Sequence, residues 1–397
     1  MGKLLKVFVV FGTRPETIKL SPLITELKNY SDLETTVCIL RQQPKLVGQS
    51  LALFGINSDF EMAFPFGNAG LLSPSIFKKI SSVFSVAWGL FRFVQLIRKK
   101  RPDLVLVQGD TSTALLVALL TCHFKISIGH IEAGLRTYNK YSPFPEEINR
   151  KLISAIADIH FAPTAGAKEN LLKEGVKESD IFVTGNTVMD AVRLISGYQQ
   201  KIEKGKAIND FFQDAYGFDL SDTNKKMIFF TTHRRESFGG EMESIMRAVK
   251  MIADKYKNVF IVYPMHPNPN VVKIAHAILN GTPRIFFIDS VEYDKYIFLL
   301  KKANFVITDS GGLQEEISFF GKPTIVVRNV TERPEGLEGG NLILAGTKMD
   351  KIFNYASRLI DDKSFYSSMA KKHTLFGDGF SSKRIADYIF SYLAKSR

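Results

Sequence analysis

Eleven apolar runs of strand length, each breaking off at a turn residue or a polar group, constrain this chain more than any other feature. KVFVVFG, TTVCIL, DLVLVQG, ISIGHI, IHFAP and IFVTGN lie in the first half; KMIFFTTH, VFIVYPM, RIFFID, NFVITDS and PTIVVR lie in the second. Their hydrophobicity is continuous rather than alternating, the pattern of strands covered on both faces in parallel sheets. Helical patterns separate the runs, so an α/β fold is expected. With 397 residues the chain is too long for one small core. Two doubly wound domains facing each other across a cleft are therefore expected. The series pauses around residues 186–225, where QQKIEKGKAINDFFQDAYGFDLSDTNKK is polar and turn-rich. That sets the expected domains at 1–185 and 186–375. The amphipathic ending, SSKRIADYIFSYLAKSR, reads as a C-terminal helix within 376–397 that packs back on the first domain.

In open parallel sheets, ligands gather at the carboxyl ends of the strands. Polar residues recur there: Arg14 in FGTRPE, Asp110 in QGDTST, His130 and Glu132 in GHIEAGLR, and His233 in TTHRRE. His266 in PMHPNP and Asp309 with Ser310 in TDSGGLQEE complete the set. Any one of these alone reads more readily as a helix cap or turn residue than as part of a site. Their recurrence after run upon run points to a site. A lone carboxylate such as Asp110, bordering a buried strand, is costly unless paired or used.

TDSGGLQEE has two readings. Ser310 caps a helix, and Gly311 and Gly312 let a ligand approach the backbone, where free N–H groups and the helix dipole favour phosphate. Equally, D-S-G-G is a cap and a turn. Arg14, Arg136, Arg234, Arg235 and Arg333 add forks that match phosphate oxygens, although one of Arg234 and Arg235 can pair with Glu236 instead. Asp110, Glu132 and Glu146 fall in the other half of the chain and suit general acid–base work on a C–H bond or a sugar oxygen. Glu146 and Glu147 also fit the first turn of a helix after Pro145.

Composition narrows the classes. A net charge of +12 suits an anionic ligand, but no zinc-finger spacing or RRM motif supports nucleic acid as the partner. Two cysteines, Cys38 and Cys122, give no disulfide framework and fit a reducing cytoplasm. The N-terminus lacks a cleavage site and reads as a first strand. The stretch SVFSVAWGLFRFVQLIRKK, residues 82–100, is too short and too charged to span a membrane. It reads as a buried helix, with membrane-surface contact as the alternative. There is no G-x-G-x-x-G, Walker, H-E-x-x-H or G-x-S-x-G pattern, so neither redox cofactor nor metal is expected.

Eight motifs in order carry a family resemblance: FGTRPETIKLSPL, QGDTST, GHIEAGLRT, YSPFPEEINR, GNTVMDA, THRRESFGG, TDSGGLQEE and GKPTIVVRNVTERPEG. Together, from about residue 6 to 380, they resemble the non-hydrolysing UDP-N-acetylglucosamine 2-epimerases. The resemblance implies two Rossmann-like domains of the GT-B type, a homodimer, and no cofactor. It implies interconversion of UDP-GlcNAc and UDP-ManNAc for surface polysaccharides, by anti elimination of UDP and re-addition to a 2-acetamidoglucal. It assigns Asp110, Glu132 and Glu146 to acid–base work and puts His233 by the diphosphate or leaving oxygen. Arg14, Lys19, Ser310, Gly311, Gly312, Glu316 and Arg333 match UDP-holding positions, with Glu316 on the ribose. Tyr296 stands where the family has a uracil-contacting phenylalanine, and Arg136 and His266 join the expected substrate-binding set. The chain departs from the family pattern at Gln43 and Pro44, at Val291, and in FGNAGLLSPSIFKK. Epimerisation of a modified UDP-2-acetamido sugar, a GT-B glycosyltransferase and a catalytically dead nucleotide-sugar sensor are the alternatives.

Overall fold

The structure, a computed structural model, describes residues 4–41, 44–63, 76–199, 202–234, 238–331 and 333–395. Gln43, Arg235 and residues 66–75 of the FGNAGLLSPSIFKK segment lie outside them. The chain divides into two compact units, Met1–Ala191 with Gly377–Arg397, and Val192–Phe376. The division falls inside the Thr187–Tyr198 helix rather than at 185/186. The physical reason lies in that helix's first turn, where Asp190 accepts from the backbone N–H groups of Ser381 and Ser382 (3.1 and 2.8 Å). This carboxylate caps the returning Ser381–Lys395 helix and holds both segments in the first unit.

Among the described residues the first unit has seven parallel strands: β1 (Leu5–Phe11), β2 (Leu33–Arg41), β3 (Phe60–Ala63), β4 (Leu104–Gln108), β5 (Ser127–Ile131), β6 (Ile159–Ala162) and β7 (Ile181–Val183). Their order is β3-β2-β1-β4-β5-β6-β7. Burial on both faces explains the unbroken hydrophobicity of β1. Val7, Val9 and Phe11 pack with Leu20, Leu23, Ile24 and Leu27 of the Arg14–Lys28 helix and with Ile385, Ala386 and Ile389 of the C-terminal helix. Phe8 and Val10, pointing the other way, pack with Phe93 and Ile97 of the Ile76–Lys100 helix and with Val117 and Ala118. Each such side chain contributes roughly 1.5–3 kcal/mol on burial. In the Ile76–Lys100 helix, Phe93, Leu96 and Ile97 are core while Trp88 and Phe91 are exposed. Among the described residues, no helix is long and apolar enough to cross a membrane.

Among the described residues the second unit has six parallel strands: β8 (Lys226–Thr231), β9 (Val259–Pro264), β10 (Ile285–Ile288), β11 (Phe305–Thr308), β12 (Thr324–Val326) and β13 (Leu342–Leu344), in the order β10-β9-β8-β11-β12-β13. Its core joins Ile228, Phe230, Ile261 and Tyr263 to apolar residues of the Gly240–Lys255 and Met349–Asp361 helices. The fold is α/β, two parallel sheets with helices between successive strands. In each sheet the strand order reverses once, between β1 and β4 in the first and between β8 and β11 in the second. A doubly wound sheet opens a crevice at the carboxyl ends of such a pair.

Candidate functional site

At the first reversal, a buried carboxylate ties two turns together. Glu16 accepts from the backbone N–H groups of Gly12 (3.0 Å) and Thr13 (2.8 Å) and from the Thr13 hydroxyl (2.7 Å). Thr13 caps the Arg14–Lys28 helix in a capping box with Glu16. The other Glu16 oxygen accepts from the hydroxyl of Thr111 (2.8 Å), in the turn after β4. Burial pushes the Glu16 carboxyl above its ordinary range, against these hydrogen bonds. The turn that bears Arg14, at the first helical position, is thereby fixed beside the turn that bears Asp110.

Asp110 follows Gly109, whose φ of +68° makes the tight exit from β4. Its carboxylate receives two bonds from Arg150, from Nε at 2.9 Å and Nη2 at 2.6 Å, both on Oδ2. Its carbonyl accepts from Asn149 Nδ2 at 2.8 Å. Arg150 also holds Glu147 (3.0 Å), which accepts from the backbone N–H groups of Thr137 and Tyr138. All three residues belong to the Glu146–Ile156 helix, whose first residue is Glu146. Glu146 Oε2 is buried and accepts no hydrogen bond among the described residues.

Glu132, just after β5, is a buried non-glycine residue at φ +63°, a conformation that costs on the order of 1 kcal/mol or more. Its Oε2 is held by Lys19 Nζ and by Gln108 Nε2, both in short contacts. Lys19, Gln108 and Glu132 are thus one group. His130 turns inward instead. Its Nε2 donates to the Gly109 carbonyl at 2.8 Å, and burial holds its imidazole neutral, pushed down to about 3.

The second reversal repeats the device with different residues. Asp309, fully buried after β11, accepts on Oδ2 from the Thr232 hydroxyl and the backbone N–H groups of His233 and Arg234, each at 2.8 Å. It pins the turn after β8. His233 Nδ1 lies 3.3 Å from the other Asp309 oxygen, and its ring stacks on His266 (centroids 5.4 Å, planes 15° apart). Burial lowers both imidazoles, against the pull of Asp309. His266 Nδ1 accepts from the N–H of Asn268 (3.2 Å), so any proton on that ring sits on Nε2.

Ser310 is the N-cap of the Gly311–Phe320 helix, with its hydroxyl in no capping bond. A Cβ on Gly311 would lie 2.9 Å from Arg333 Nη1 and 3.6 Å from Arg234 Nη2, whereas one on Gly312 would meet nothing within 4 Å. Two guanidinium groups therefore converge on an open helix N-terminus, a combination suited to phosphate. Arg333 is aimed by Glu315 (Nε to Oε1, 2.7 Å). One turn further on, Glu316 accepts from the hydroxyls of Tyr293 (2.9 Å) and Tyr296 (2.7 Å).

The UDP-N-acetylglucosamine 2-epimerase family model matches residues 25–390. The UDP-N-acetylglucosamine 2-epimerase of Bacillus subtilis (strain 168) is 41% identical over 394 residues, 98% of this chain and 96% of that protein. The chain belongs to this family. Among solved structures, the UDP-GlcNAc 2-epimerase from Neisseria meningitidis bound to UDP-GlcNAc matches with a TM-score of 0.88 at 35% identity, over 98% of this chain and all of that one. The Methanocaldococcus jannaschii enzyme in complex with UDP-GlcNAc and UDP matches with a TM-score of 0.80 at 30% identity, again over 98% and 100%. The two sheets accordingly match the GT-B-like structures of the 2-epimerases.

Within this 2-epimerase, one residue of the expected substrate-binding set is engaged by protein groups. The guanidinium of Arg136, an expected anion fork, is fully buried and bonded to Glu174 (2.9 and 2.6 Å), the Leu135 carbonyl (2.8 Å) and the Ser154 hydroxyl (2.9 Å). It holds the β5 exit to neighbouring helices. Sequence reasoning passed over Gln108, Asn149, Arg150 and Tyr293. Gln108, the last residue of an otherwise apolar strand, carried a signal; the helical Asn149 and Arg150 carried none. Among the described residues, no group of three or more His, Cys, Asp or Glu side chains could hold a metal ion.

Proposed function

We propose that this enzyme interconverts UDP-GlcNAc and UDP-ManNAc by anti elimination of UDP and re-addition to a 2-acetamidoglucal. In the forward direction a carboxylate removes the C2 proton, the C1–O bond breaks, and its electron pair leaves with UDP. A proton then returns to C2 from the opposite face, and the UDP oxygen re-forms the bond to C1. This chemistry needs acid–base groups for both faces of C2 and a site that retains the nucleotide after it leaves. The observation that carries the reading is the pairing of two kinds of chemistry at the two strand reversals. Asp110, Glu132 with Lys19, and the helix that begins at Glu146 meet the first need. The guanidinium pair over the Gly311–Phe320 helix, with Ser310 and Gly312, meets the second.

In this reading His233 acts at the leaving oxygen, Arg14 and His266 contact the substrate, and Glu316 holds the ribose while Tyr296 flanks the base. The enzyme acts as a homodimer in the cytoplasm and feeds surface polysaccharide synthesis. A glycosyltransferase would share the nucleotide end but has no use for the three carboxylates of the first unit. Incubation with UDP-GlcNAc alone tests the assignment. UDP-ManNAc accumulating without any acceptor supports it, and an unchanged substrate that reacts only once an acceptor sugar is added would replace it with a transferase.

A further inference from the structure

We propose that Arg150 is a positioning residue for Asp110, setting the orientation of that carboxylate toward the sugar; the inference rests on the reaction proposed above and names a new residue in it. The geometry is a chain of charged, hydrogen-bonded links with little freedom at any step. The backbone N–H groups of Thr137 and Tyr138 hold the two oxygens of Glu147, at 3.1 and 3.0 Å. Glu147, fully buried, holds Arg150 Nη1 at 3.0 Å. Arg150, 6% exposed, places Nε and Nη2 on one oxygen of Asp110. Two charge-assisted donors from one rigid plane hold that single oxygen in place.

The backbone of the same residue is fixed from the same helix. Asn149 holds the Asp110 carbonyl, so the side chain and main chain of Asp110 are both referred to the Glu146–Ile156 helix. Glu146 opens that helix. The positions of two acid–base residues on one sugar ring are thereby set by one rigid element. Arg150 is buried among protein groups and acts through Asp110, so its removal should alter the chemical step and spare ground-state binding of the nucleotide.

Arg150→Ala and Arg150→Lys test this, with kcat, KM for UDP-GlcNAc and calorimetric affinity for UDP as readouts. In Arg150→Ala, kcat is expected to fall roughly a hundredfold, the loss typical of a misplaced catalytic group, with KM and UDP affinity little changed. Millimolar guanidinium should restore part of that kcat. Arg150→Lys, which retains the charge, should lose about tenfold in its folded form, since it supplies one donor direction in place of a fork. A folded variant with wild-type kcat, or one whose KM rises while kcat holds, overturns the proposal. If the wild-type protein leaves UDP-GlcNAc untouched, the reaction itself is misassigned, and crystal structures decide the inference alone. A carboxylate displaced by more than about 0.5 Å in Arg150→Ala sustains it, and an unmoved one overturns it.

Discussion

Replacing Gly311 by alanine separates the anion site from the stability of the helix that builds it. The new Cβ would stand 2.9 Å from Arg333 Nη1 and 3.2 Å from Cζ, closer than carbon and guanidinium tolerate. Arg333 cannot simply swing away, because its Nε is bonded to the buried Glu315. The guanidinium head must move a few tenths of an ångström or leave its rotamer, at about 0.5–1.5 kcal/mol. Gly311 is the first residue of its helix, where alanine gains less than the roughly 0.5–1 kcal/mol it gains over glycine in a helix interior, so two small effects oppose each other in the empty protein. A displaced fork that loses one charge-assisted bond to a phosphate forfeits about 1.5–3 kcal/mol of binding. That corresponds to roughly ten- to hundredfold weaker UDP binding at an almost unchanged melting temperature. Gly312→Ala is the comparator: its Cβ meets nothing within 4 Å among the described residues, so it should lose affinity only through contact with the ligand itself. Calorimetric titration with UDP beside thermal melts reads both. Wild-type UDP affinity in a normally folded Gly311→Ala protein would refute the claim that Arg333 and this helix start hold one diphosphate.

Asp110→Asn should abolish epimerisation while UDP still binds, as measured by coupled turnover and calorimetry; near-normal turnover removes Asp110 from the acid–base set. Arg136→Met should lower stability by about 1–3 kcal/mol, because the Leu135 carbonyl and the Ser154 hydroxyl lose a buried donor while Glu174 stays in reach of water and of Lys151, yet leave UDP affinity unchanged; a change in affinity at constant melting temperature would show that Arg136 serves the site. His130 is held down to about 3 from an ordinary 6.5, so between those values the unfolded chain takes up a proton that the native state refuses. Stability therefore drains away as pH falls through that window, by about 1.4 kcal/mol per pH unit from this group. His130→Gln, which retains a donor for the Gly109 carbonyl, should flatten that slope in urea unfolding at pH 4.5 against pH 7, and an unaltered slope would discount the histidine.

The parallel α/β architecture was legible because it rests on a local property, the continuous apolar run of a strand buried on both faces. Two strands escaped that reading, Phe60–Ala63 and Leu342–Leu344, and both are edge strands. An edge strand pairs on one side only and can be short; the first of these carries a glutamate, Glu61, and the second has three residues between glycine-containing turns. Strand-end residues such as Asp110, Glu132 and Asp309 were legible because the chain changes from apolar to polar there. Their supports were not. Arg150 sits inside a helix and meets Asp110 across 40 residues of sequence, and Asp309 pins a turn 75 residues away, so nothing local marks either contact. Arg136 shows the reverse case. Next to a strand exit it looked like a fork for a ligand, but its partner was Glu174, found only once the chain had folded.

Proton exchange at C2 is the most direct measurement. Incubation of the enzyme with UDP-GlcNAc in deuterated water, followed by proton NMR, should show the C2 signal disappear from substrate and product together as UDP-ManNAc forms. UDP-ManNAc that retains the original C2 proton, with no label gained from solvent, would contradict an elimination driven by the side chains of Asp110, Glu132 and Glu146.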